Sequence, residues 1–326
     1  MRFVLKGLFG LGLMFAALSS PLLAQESDYP RTITDSLGAE TVINSADRIF
    51  VVHQITSSLV SALGAYDRVV GRTRFVDDPK EDVESVPEIG TYSELEAEGI
   101  LSVEPDLVLI VDRHLGLSGG NLSVVEQLRE AGVAVLVLPQ DGLLARHGGV
   151  YELDIMQEFV QLTADALALD ERGAEIVARM ESEAEEASQI AAGSEPSRVL
   201  ALGAFSVGGK MFAQGPGSPY DLVIRMAGAQ NVAAELGPEA FHELTPEGLV
   251  ALEPDVIVVG ERIFNELSDT DPMSVFLSLP GVADTPAAQN EAFYLAPVTV
   301  VYGSTPHLAA AALDLAKVLY PDGEGN

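Results

Sequence analysis

Residues 98–113 read EGILSVEPDLVLIVDR, and residues 247–262 read EGLVALEPDVIVVGER, with no insertion between the two copies. Both copies have a Glu-Gly opening, a Glu-Pro-Asp turn, an apolar run and a closing arginine in the same register. Chance is a poor explanation for such a match. The pair therefore indicates that one structural unit occurs twice in the chain.

Each copy of the repeat predicts a short helix, a turn and a buried strand. In the second copy, Thr245 can cap the helix and Pro246 fits its first position. Pro254 ends the helix, because proline disfavours helical geometry in the residue before it. The run 256–259 is apolar and β-branched throughout, like 107–111 in the first copy, which is typical of a parallel strand covered on both faces. The repeat thus predicts two α/β lobes of the same kind.

Residues 1–24 have the features of a secretory signal peptide. Arg2 and Lys6 form a positive segment, residues 7–17 are apolar, and Ala24 is a small residue suited to cleavage. The apolar stretch is too short for a membrane span. We therefore expect a soluble periplasmic protein after cleavage near Ala24.

Composition excludes several classes of protein. The chain has no cysteine, so disulfides, thiolate metal sites, a cysteine nucleophile and a lipid-anchoring cysteine are all ruled out. A formal net charge of −31 disfavours nucleic acid and anionic membrane surfaces as partners. The sequence also contains no nucleophile elbow, zinc-protease helix or phosphate-binding loop, which favours a protein that is not an enzyme.

The order of patterns along the chain predicts two doubly wound lobes joined by a single long helix, with a ligand cleft between the lobes. A hairpin is predicted at 32–42, and helices at 154–167 and 170–192 follow one another without a strand between them. The second of these helices would span about 35 Å at 1.5 Å per residue, enough to cross between lobes. The predicted strands are 48–53, 69–74, 107–111 and 133–138 in the first lobe and 198–205, 256–259 and 292–296 in the second. We place the first lobe at 25–169, the bridging helix at 170–194 and the second lobe at 195–326.

Arginines close two of the predicted strands. In an open α/β sheet, ligands bind beyond the carboxyl ends of the strands. Arg113 and Arg262 occupy matching strand ends, and their guanidinium groups suit carboxylates on a ligand. Arg74, at the end of another predicted strand, is a third candidate for contact with the ligand. The alternative is that each arginine pairs with Asp112, Glu261 or another nearby acid, and both interpretations stay open.

Histidines and one tyrosine also fall where a cleft would be. The spacing of His53, His114 and His242 matches no local metal-binding motif, so we expect each imidazole to be solvent-exposed or hydrogen-bonded. His114 and His242 are kept as candidate ligand contacts. Tyr92 lies in a polar loop, which makes it the best candidate for an aromatic wall of the cleft.

Longer stretches of the sequence resemble a known family, the periplasmic substrate-binding proteins of ABC importers for haem, ferric siderophores and cobalamin. The resemblance covers residues 48–320 and implies two α/β lobes joined by one long helix. It is greatest to the haemin-binding branch, in SPYDLVIRMAGAQNVA (218–233), FHELTPEGLVALEPDVIVV (241–259) and LPGVADTPAAQN (279–290). The resemblance implies a monomer that carries haem as its transported ligand and needs no catalytic cofactor. A ferric-siderophore or cobalamin carrier is the alternative, and an enzyme on a similar scaffold is a distant third.

The chain departs from the haemin-binding pattern at one informative position. Relatives in that branch have Gly-Tyr-x-Arg before the short helix, and the tyrosine ligates the iron. Here residues 90–93 read Gly-Thr-Tyr-Ser, so that Thr91 occupies the tyrosine position and Ser93 that of the arginine. Tyr92, one residue later, is the candidate iron ligand. The resemblance further implies that Arg113 or Arg262 meets the haem propionates.

The same resemblance gives a role to the two repeated glutamates. Glu98 and Glu247 match the surface acids that dock into arginine pockets of the membrane permease, through which the ATPase is engaged. A purely local role is also compatible with their positions, because a carboxylate in the first turn stabilises its own helix by roughly 0.3–1 kcal/mol.

Overall fold

The computed structural model describes residues 28–74, 76, 80–116, 120–202, 211–260, 272–296 and 305–321. Its first element is an antiparallel hairpin of β1 (Arg31–Thr34) and β2 (Glu40–Ile43). The turn forms because the buried Asp35 carboxylate accepts hydrogen bonds from the backbone N–H groups of Leu37 (2.9 Å) and Ala39 (3.0 Å). The predicted hairpin at 32–42 is confirmed.

The first lobe is built on a parallel sheet of four strands. These are β3 (Ile49–Val51), β4 (Val69–Arg72), β5 (Leu107–Val111) and β6 (Ala134–Leu138), in the order β4-β3-β5-β6. Every residue of β3 and β5 is buried, as their continuous apolar sequences predict. The helices α1 (His53–Ala62), α2 (Ala97–Leu101) and α3 (Asn121–Glu130) connect the strands.

Three helices follow the first sheet. They are α4 (Gln140–Arg146), which the sequence did not predict, α5 (Leu153–Ala166) and α6 (Asp170–Ala191). The helix α6 matches the predicted segment 170–192. Its buried stripe consists of Gly173, Ile176, Met180, Ala187 and Ile190. The helix α6 packs on α5 in the first lobe and on α11 (Leu308–Leu319) in the second. It therefore contacts both lobes.

The second lobe contains a mixed sheet. Its strands are β7 (Arg198–Leu202), β8 (Met211–Gln214), β9 (Gln230–Asn231), β10 (Phe241–Leu244), β11 (Val256–Gly260) and β12 (Phe293–Ala296). The strands β7, β11 and β12 are parallel to one another, whereas β8 pairs antiparallel with β7 and β10. The helices are α7 (Pro219–Met226), α8 (Pro246–Ala251), α9 (Pro272–Leu277), α10 (Pro286–Gln289) and α11. The two lobes confirm the predicted α/β class.

Both copies of the repeat fold as predicted, with α2 and β5 in one lobe and α8 and β11 in the other. Thr245 caps α8 by accepting a hydrogen bond from the N–H of Gly248 at 3.0 Å. The glutamate of each Glu-Pro-Asp turn has a left-handed backbone, with φ of 48° at Glu104 and 43° at Glu253. These equivalent outliers lie where each helix turns back towards its strand.

A hydrogen-bonded clamp, which the sequence did not predict, holds each of these turns. The Arg48 guanidinium donates to the carbonyls of Val103 (2.6 Å) and Glu104 (2.7 Å). In the second lobe, the Arg198 guanidinium donates to the carbonyls of Leu252 (2.8 Å) and Glu253 (3.4 Å). Each arginine stands at the start of the strand that lies beside the repeat strand in the sheet, β3 beside β5 and β7 beside β11. We call each arginine with its Glu-Pro-Asp turn a repeat clamp.

Across the residues that the structure describes, no helix has the length and apolar character needed to cross a membrane.

Candidate functional site

The first lobe has a topological switch point between β3 and β5. From β3 the chain passes through α1 to β4 on one side, and then crosses over to β5 and β6 on the other side. Connections diverge at such a point and leave a crevice at the carboxyl ends of the two strands, where α/β proteins bind ligands. His53 follows the end of β3, and His114 follows the end of β5. The chain therefore places one imidazole on each side of the crevice.

Three aromatic rings contact one another at this crevice. The ring centroids of His53 and His114 are 4.6 Å apart, and Tyr92 lies 4.7 Å from His53 and 5.0 Å from His114. We call these three residues the aromatic triad. The loop that carries Tyr92 packs on the hydrophobic cluster beneath β3 and β5, so the triad rests on a buried apolar layer.

The backbone of His53 is held in an unusual conformation. Its φ is 75°, in the left-handed region that residues other than glycine adopt only at a cost in free energy. The N–H of His53 donates to the hydroxyl of Thr73 at 3.0 Å, and Thr73 is itself fully buried. Such outliers persist where surrounding contacts hold them, and they concentrate at functional sites.

A tight turn delivers Tyr92 to the triad. Gly90 has a φ of 65°, and the N–H of Glu94 donates to the carbonyl of Thr91 at 3.2 Å. The hydroxyl of Thr91 lies 3.1 Å from that of Ser93 and so engages its own turn, while the Tyr92 ring reaches the two imidazoles. Tyr92, and not Thr91, is the residue of this loop that joins the aromatic triad.

The imidazoles of the triad are neutral at ordinary pH. His114 is 5 % exposed, and its buried Nδ1 has no hydrogen-bond partner among the described residues. Burial lowers the pKa of His114 to about 4, with a smaller effect from the positive charge of Arg113. Burial likewise lowers the pKa of His53 to about 3, with a smaller effect from His114. Neutral imidazoles can act as metal ligands or accept hydrogen bonds.

Two of the predicted arginines lie near the triad. The Nε of Arg113 donates to Asp141 at 2.8 Å, so the arginine does pair with an acid, although with Asp141 and not with Asp112. Its terminal nitrogens donate to no described residue, and the side chain is 42 % exposed. Arg74 is exposed, pairs with Glu88 at 3.1 Å, and donates its backbone N–H to Gly90 in the loop that leads to Tyr92.

The remaining candidates belong to the second lobe. His242 lies on β10, where its Nε2 is buried and 3.9 Å from Glu239, and its ring makes no described contact with the triad. Arg262 follows β11 but falls outside the described residues, as do residues 203–210 and 297–304, which follow β7 and β12. The role of the second lobe in ligand binding therefore stays a prediction.

The structure gives His53 and His114 more prominent positions than the sequence predicts. His114 is buried and not exposed, and its Nδ1 has no hydrogen-bond partner among the described residues. The sequence predicts no site role for His53, which the structure places in the triad. Strand ends alone do not show that β3 and β5 are neighbours, and only that neighbour relation brings the two histidines together.

Two α/β lobes, a long helix packed on both, and an aromatic triad at a switch point are the architecture of a protein that binds a small ligand at the carboxyl ends of its strands. The chain belongs to the periplasmic binding protein family, whose sequence model matches residues 49–299. Members of this family are substrate-binding proteins and not enzymes, as the sequence had indicated. A search of curated protein sequences gives no match.

Solved structures of similar fold include several haem-binding proteins. The periplasmic haem-binding protein RhuT from Roseiflexus sp. RS-1, in its apo form, is 28 % identical, with a TM-score of 0.71 over 86 % of this chain and 100 % of its own. The haem-binding protein HmuT is 26 % identical, with a TM-score of 0.72 over 90 % of each chain. The periplasmic haem-binding protein BhuT, in complex with two haems, is 26 % identical, with a TM-score of 0.67 over 85 % of this chain and 98 % of its own.

Proposed function

We propose that the protein captures haem in the periplasm, between its two lobes, and delivers it to an ABC permease. The observation that carries this proposal is the contact of two neutral imidazoles and a phenol at the switch point of the first lobe. Similarity to three haem-binding proteins supports the choice of ligand. Haem is then a transported ligand, and no covalent chemistry is required.

Within this proposal, Tyr92 supplies the axial oxygen ligand of the haem iron. A phenolate is an anionic oxygen donor, and tyrosine is an established axial ligand of ferric haem. Tyr92 lies on a loop and is only partly buried, whereas His114 is almost completely enclosed. His53 and His114 pack against the phenol ring and support its placement beneath the iron.

The propionate groups of haem require positive partners. Arg113 suits this task, because it follows β5 next to His114, its Nε is already fixed by Asp141 and its side chain is partly exposed. Arg74 is the second such group of the first lobe. Arg262, which occupies the matching position of the repeat, and His242 would be the contributions of the second lobe.

Titration of the purified protein with haemin tests this proposal directly. Wild-type protein should shift the Soret band of haemin, and Tyr92→Phe should change the band and weaken binding about 100-fold, which corresponds to about 2.8 kcal/mol. Tyr29→Phe is a matched control, because it also removes one tyrosine hydroxyl, here bonded to the carbonyl of Ala166 at 3.1 Å, away from the triad. That control should bind haemin like the wild type.

The same titration can reject the proposal. A wild-type protein that leaves the Soret band unchanged does not bind haem. Since the chain has no tryptophan, quenching of its tyrosine emission by ferric siderophores but not by haemin would instead establish a siderophore carrier. A Tyr92→Phe variant identical to the wild type would remove Tyr92 from the iron site while leaving haem binding intact.

For delivery, we propose that Glu98 and Glu247 dock into the permease. They occupy equivalent positions in the first turns of α2 and α8, and both are exposed. Neither carboxylate has a hydrogen bond or ion pair with any residue that the structure describes, so both are available to a partner. Positive pockets on the permease are the complementary chemistry.

For organisation, we propose that residues 1–24 are removed during export and that α6 lies within a bridging segment at 170–194. The lobes would then comprise residues 25–169 and 195–326. The mass of the protein isolated from periplasm should correspond to a chain that begins at Gln25, and retention of residues 1–24 would contradict the signal assignment.

A further inference from the structure

Asn121, the first residue of α3, connects two of the three segments that carry the aromatic triad. Its side-chain Nδ2 donates to the backbone carbonyl of Tyr92 at 2.9 Å and to that of His114 at 2.8 Å. Its Oδ1 accepts a hydrogen bond from the N–H of Leu95 at 3.1 Å. Asn121 is 1 % exposed, so its amide group is shielded from water while it makes these three bonds.

Only a primary amide matches this set of partners. Two carbonyls require two N–H donors, and the Leu95 N–H requires an acceptor on the same small group. A carboxylate at this position would face two carbonyl oxygens with no donor, and an apolar side chain would remove the partner of three backbone groups, of which the His114 carbonyl bond is fully buried. Helix formation alone does not explain Asn121, because its side chain caps no N–H of α3.

Thr73 fixes the backbone of His53, as Asn121 fixes the backbones of Tyr92 and His114. Its buried hydroxyl accepts the N–H of His53 and so helps to hold the left-handed backbone that starts α1. The N–H of Thr73 in turn donates to the carbonyl of Val51, at the end of β3, at 3.3 Å. All three triad segments are therefore fixed through their backbones by two buried polar side chains.

We propose that Asn121 and Thr73 are positioning residues of the ligand site, which set the mutual placement of the Tyr92, His53 and His114 rings and thereby the coordination of the haem iron. Neither residue is assigned contact with the ligand. The part of the proposal that concerns haem rests on the proposed function. The part that concerns the three rings holds for the protein without ligand.

The first experiment uses the ligand-free protein and reads the histidine ring protons by NMR. In the wild type, the ring signals of His114 should carry ring-current shifts from the neighbouring Tyr92 and His53 rings. In Asn121→Ala, the triad should open, so that the His114 ring signals move towards those of an isolated imidazole at the same pH. This readout does not depend on haem.

Asn231 provides a matched control in the second lobe. It is 4 % exposed, and its Nδ2 donates to the carbonyl of Gln214 and to Asp221, both at 2.9 Å. Its Oδ1 accepts from the N–H of Ala233 at 3.1 Å. Asn231→Ala thus removes a similar buried network and should lower stability comparably while leaving the His114 signals unchanged.

The second experiment measures haemin binding by the same variants. Loss of a side chain that orients a metal ligand typically costs about 10–100-fold in affinity, and we expect such a loss with an altered Soret band for Asn121→Ala. Thr73→Val, which is nearly isosteric, should behave similarly, and Thr73→Ser should restore wild-type binding because it keeps the hydroxyl. Asn231→Ala should show the wild-type spectrum.

The outcomes separate this proposal from the proposed function. If wild-type protein binds no haemin but Asn121→Ala still releases His114, the haem assignment fails and the positioning role stands. If folded Asn121→Ala and Thr73→Val retain wild-type His114 signals and haemin spectra, the positioning role is wrong. If Asn121→Ala does not unfold cooperatively, the Thr73→Val and Thr73→Ser pair decides the question, because that exchange preserves volume.

Discussion

At the scale of single residues, the site depends on imidazoles that stay uncharged. His53 and His114 are enclosed by one another, by Tyr92 and by the apolar cluster beneath the sheet, and Arg113 adds a positive charge next to His114. Each influence disfavours the protonated ring. The site is therefore kept ready for a ligand at neutral pH, at the expense of stability in acid.

This arrangement makes stability depend on pH in a definite direction. Above pH 6.5 the two histidines are neutral in both the folded and the unfolded chain. Below pH 6.5 the unfolded chain binds protons that the folded chain does not, until the pH reaches about 4 for His114 and about 3 for His53. The free energy of unfolding should therefore fall with decreasing pH in this window, by up to about 1.4 kcal/mol per pH unit for each histidine.

Urea unfolding of wild type and His114→Gln at pH 7, 6 and 5 checks this prediction. The variant should lose less stability than the wild type between pH 6.5 and 5, by about 1–2 kcal/mol, because one of the two proton-binding differences is gone. Asn231→Ala keeps both imidazoles and should follow the wild-type slope. Parallel pH profiles for wild type and His114→Gln would contradict neutral burial of His114.

The individual residues of the site were predictable from the sequence to different degrees. Tyr92 was predicted as the aromatic candidate because it lies in a polar loop, and the structure brings it to the two imidazoles. No sequence pattern identified Asn121, because its side chain donates hydrogen bonds to the backbone carbonyls of residues 92 and 114. A backbone carbonyl is present whatever the residue type. Residues that act on backbone groups leave no pattern of side-chain types to detect.

At the scale of elements, the repeat is stabilised by contacts that its own sequence does not contain. Besides the guanidinium contacts of each clamp, the aspartate of each Glu-Pro-Asp turn accepts a hydrogen bond from the backbone at the start of β3 or β7. Asp106 accepts from the N–H of Arg48, 58 positions earlier, at 3.1 Å. Asp255 accepts from the N–H of Arg198, 57 positions earlier, at 3.0 Å. These near-equal separations indicate that the duplicated unit extends back to β3 in the first lobe and to β7 in the second.

The two aspartates should differ in their effect on stability. Asp106 also accepts from the N–H of Asp47 (3.0 Å) and from the hydroxyl of Ser45 (2.6 Å), whereas Asp255 has only the Arg198 bond among the described residues. Hydrogen bonds to a charged group contribute roughly 1.5–3 kcal/mol when well formed, and less where water competes. We expect Asp106→Ala to cost about 2 kcal/mol and Asp255→Ala about half of that.

Chemical denaturation of both variants measures this difference. Asp67→Ala is a suitable control, because Asp67 is exposed and has no hydrogen bond or ion pair with a described residue. It should stay within about 0.5 kcal/mol of the wild type. Equal losses for Asp106→Ala and Asp67→Ala would show that the clamp contributes nothing to stability.

The strand β10 and the helix α4 escaped sequence-based prediction for physical reasons. The strand β10 reads Phe-His-Glu-Leu, and Phe241 and Glu243 are exposed, so the segment lacks the apolar run that identifies a buried strand. The helix α4 is short, contains Gly142 and buries only a few side chains. The formation of both elements therefore depends on tertiary contacts with neighbouring elements and not on a local sequence pattern.

At the scale of the whole molecule, the fold was predictable because the repeat determines it twice. The apolar runs at β5 and β11 identified buried parallel strands, and the uninterrupted pattern of α6 identified the helix that packs on both lobes. The meeting of His53, Tyr92 and His114 at one switch point was not predictable to the same degree. It depends on which strand ends become neighbours, and this information is not local in the sequence.

The molecule as a whole also explains why docking needs a specific test. With a formal net charge of −31, the protein would be attracted to any positive surface on a permease, whichever acids were involved. General attraction and specific docking by Glu98 and Glu247 therefore predict the same effect for a change in total charge. They differ in what they predict when equal changes are made at different places.

Import assays on two double variants make that distinction. Glu98→Lys with Glu247→Lys should abolish haem import while leaving haemin binding unchanged, because neither carboxylate contacts the aromatic triad. Glu130→Lys with Glu195→Lys changes the net charge by the same amount at two other exposed acids without described partners, and it should import like the wild type. If both double variants lose import, general attraction is sufficient and the specific role is wrong. If the first loses haemin binding as well, the separation of docking surface from ligand site fails.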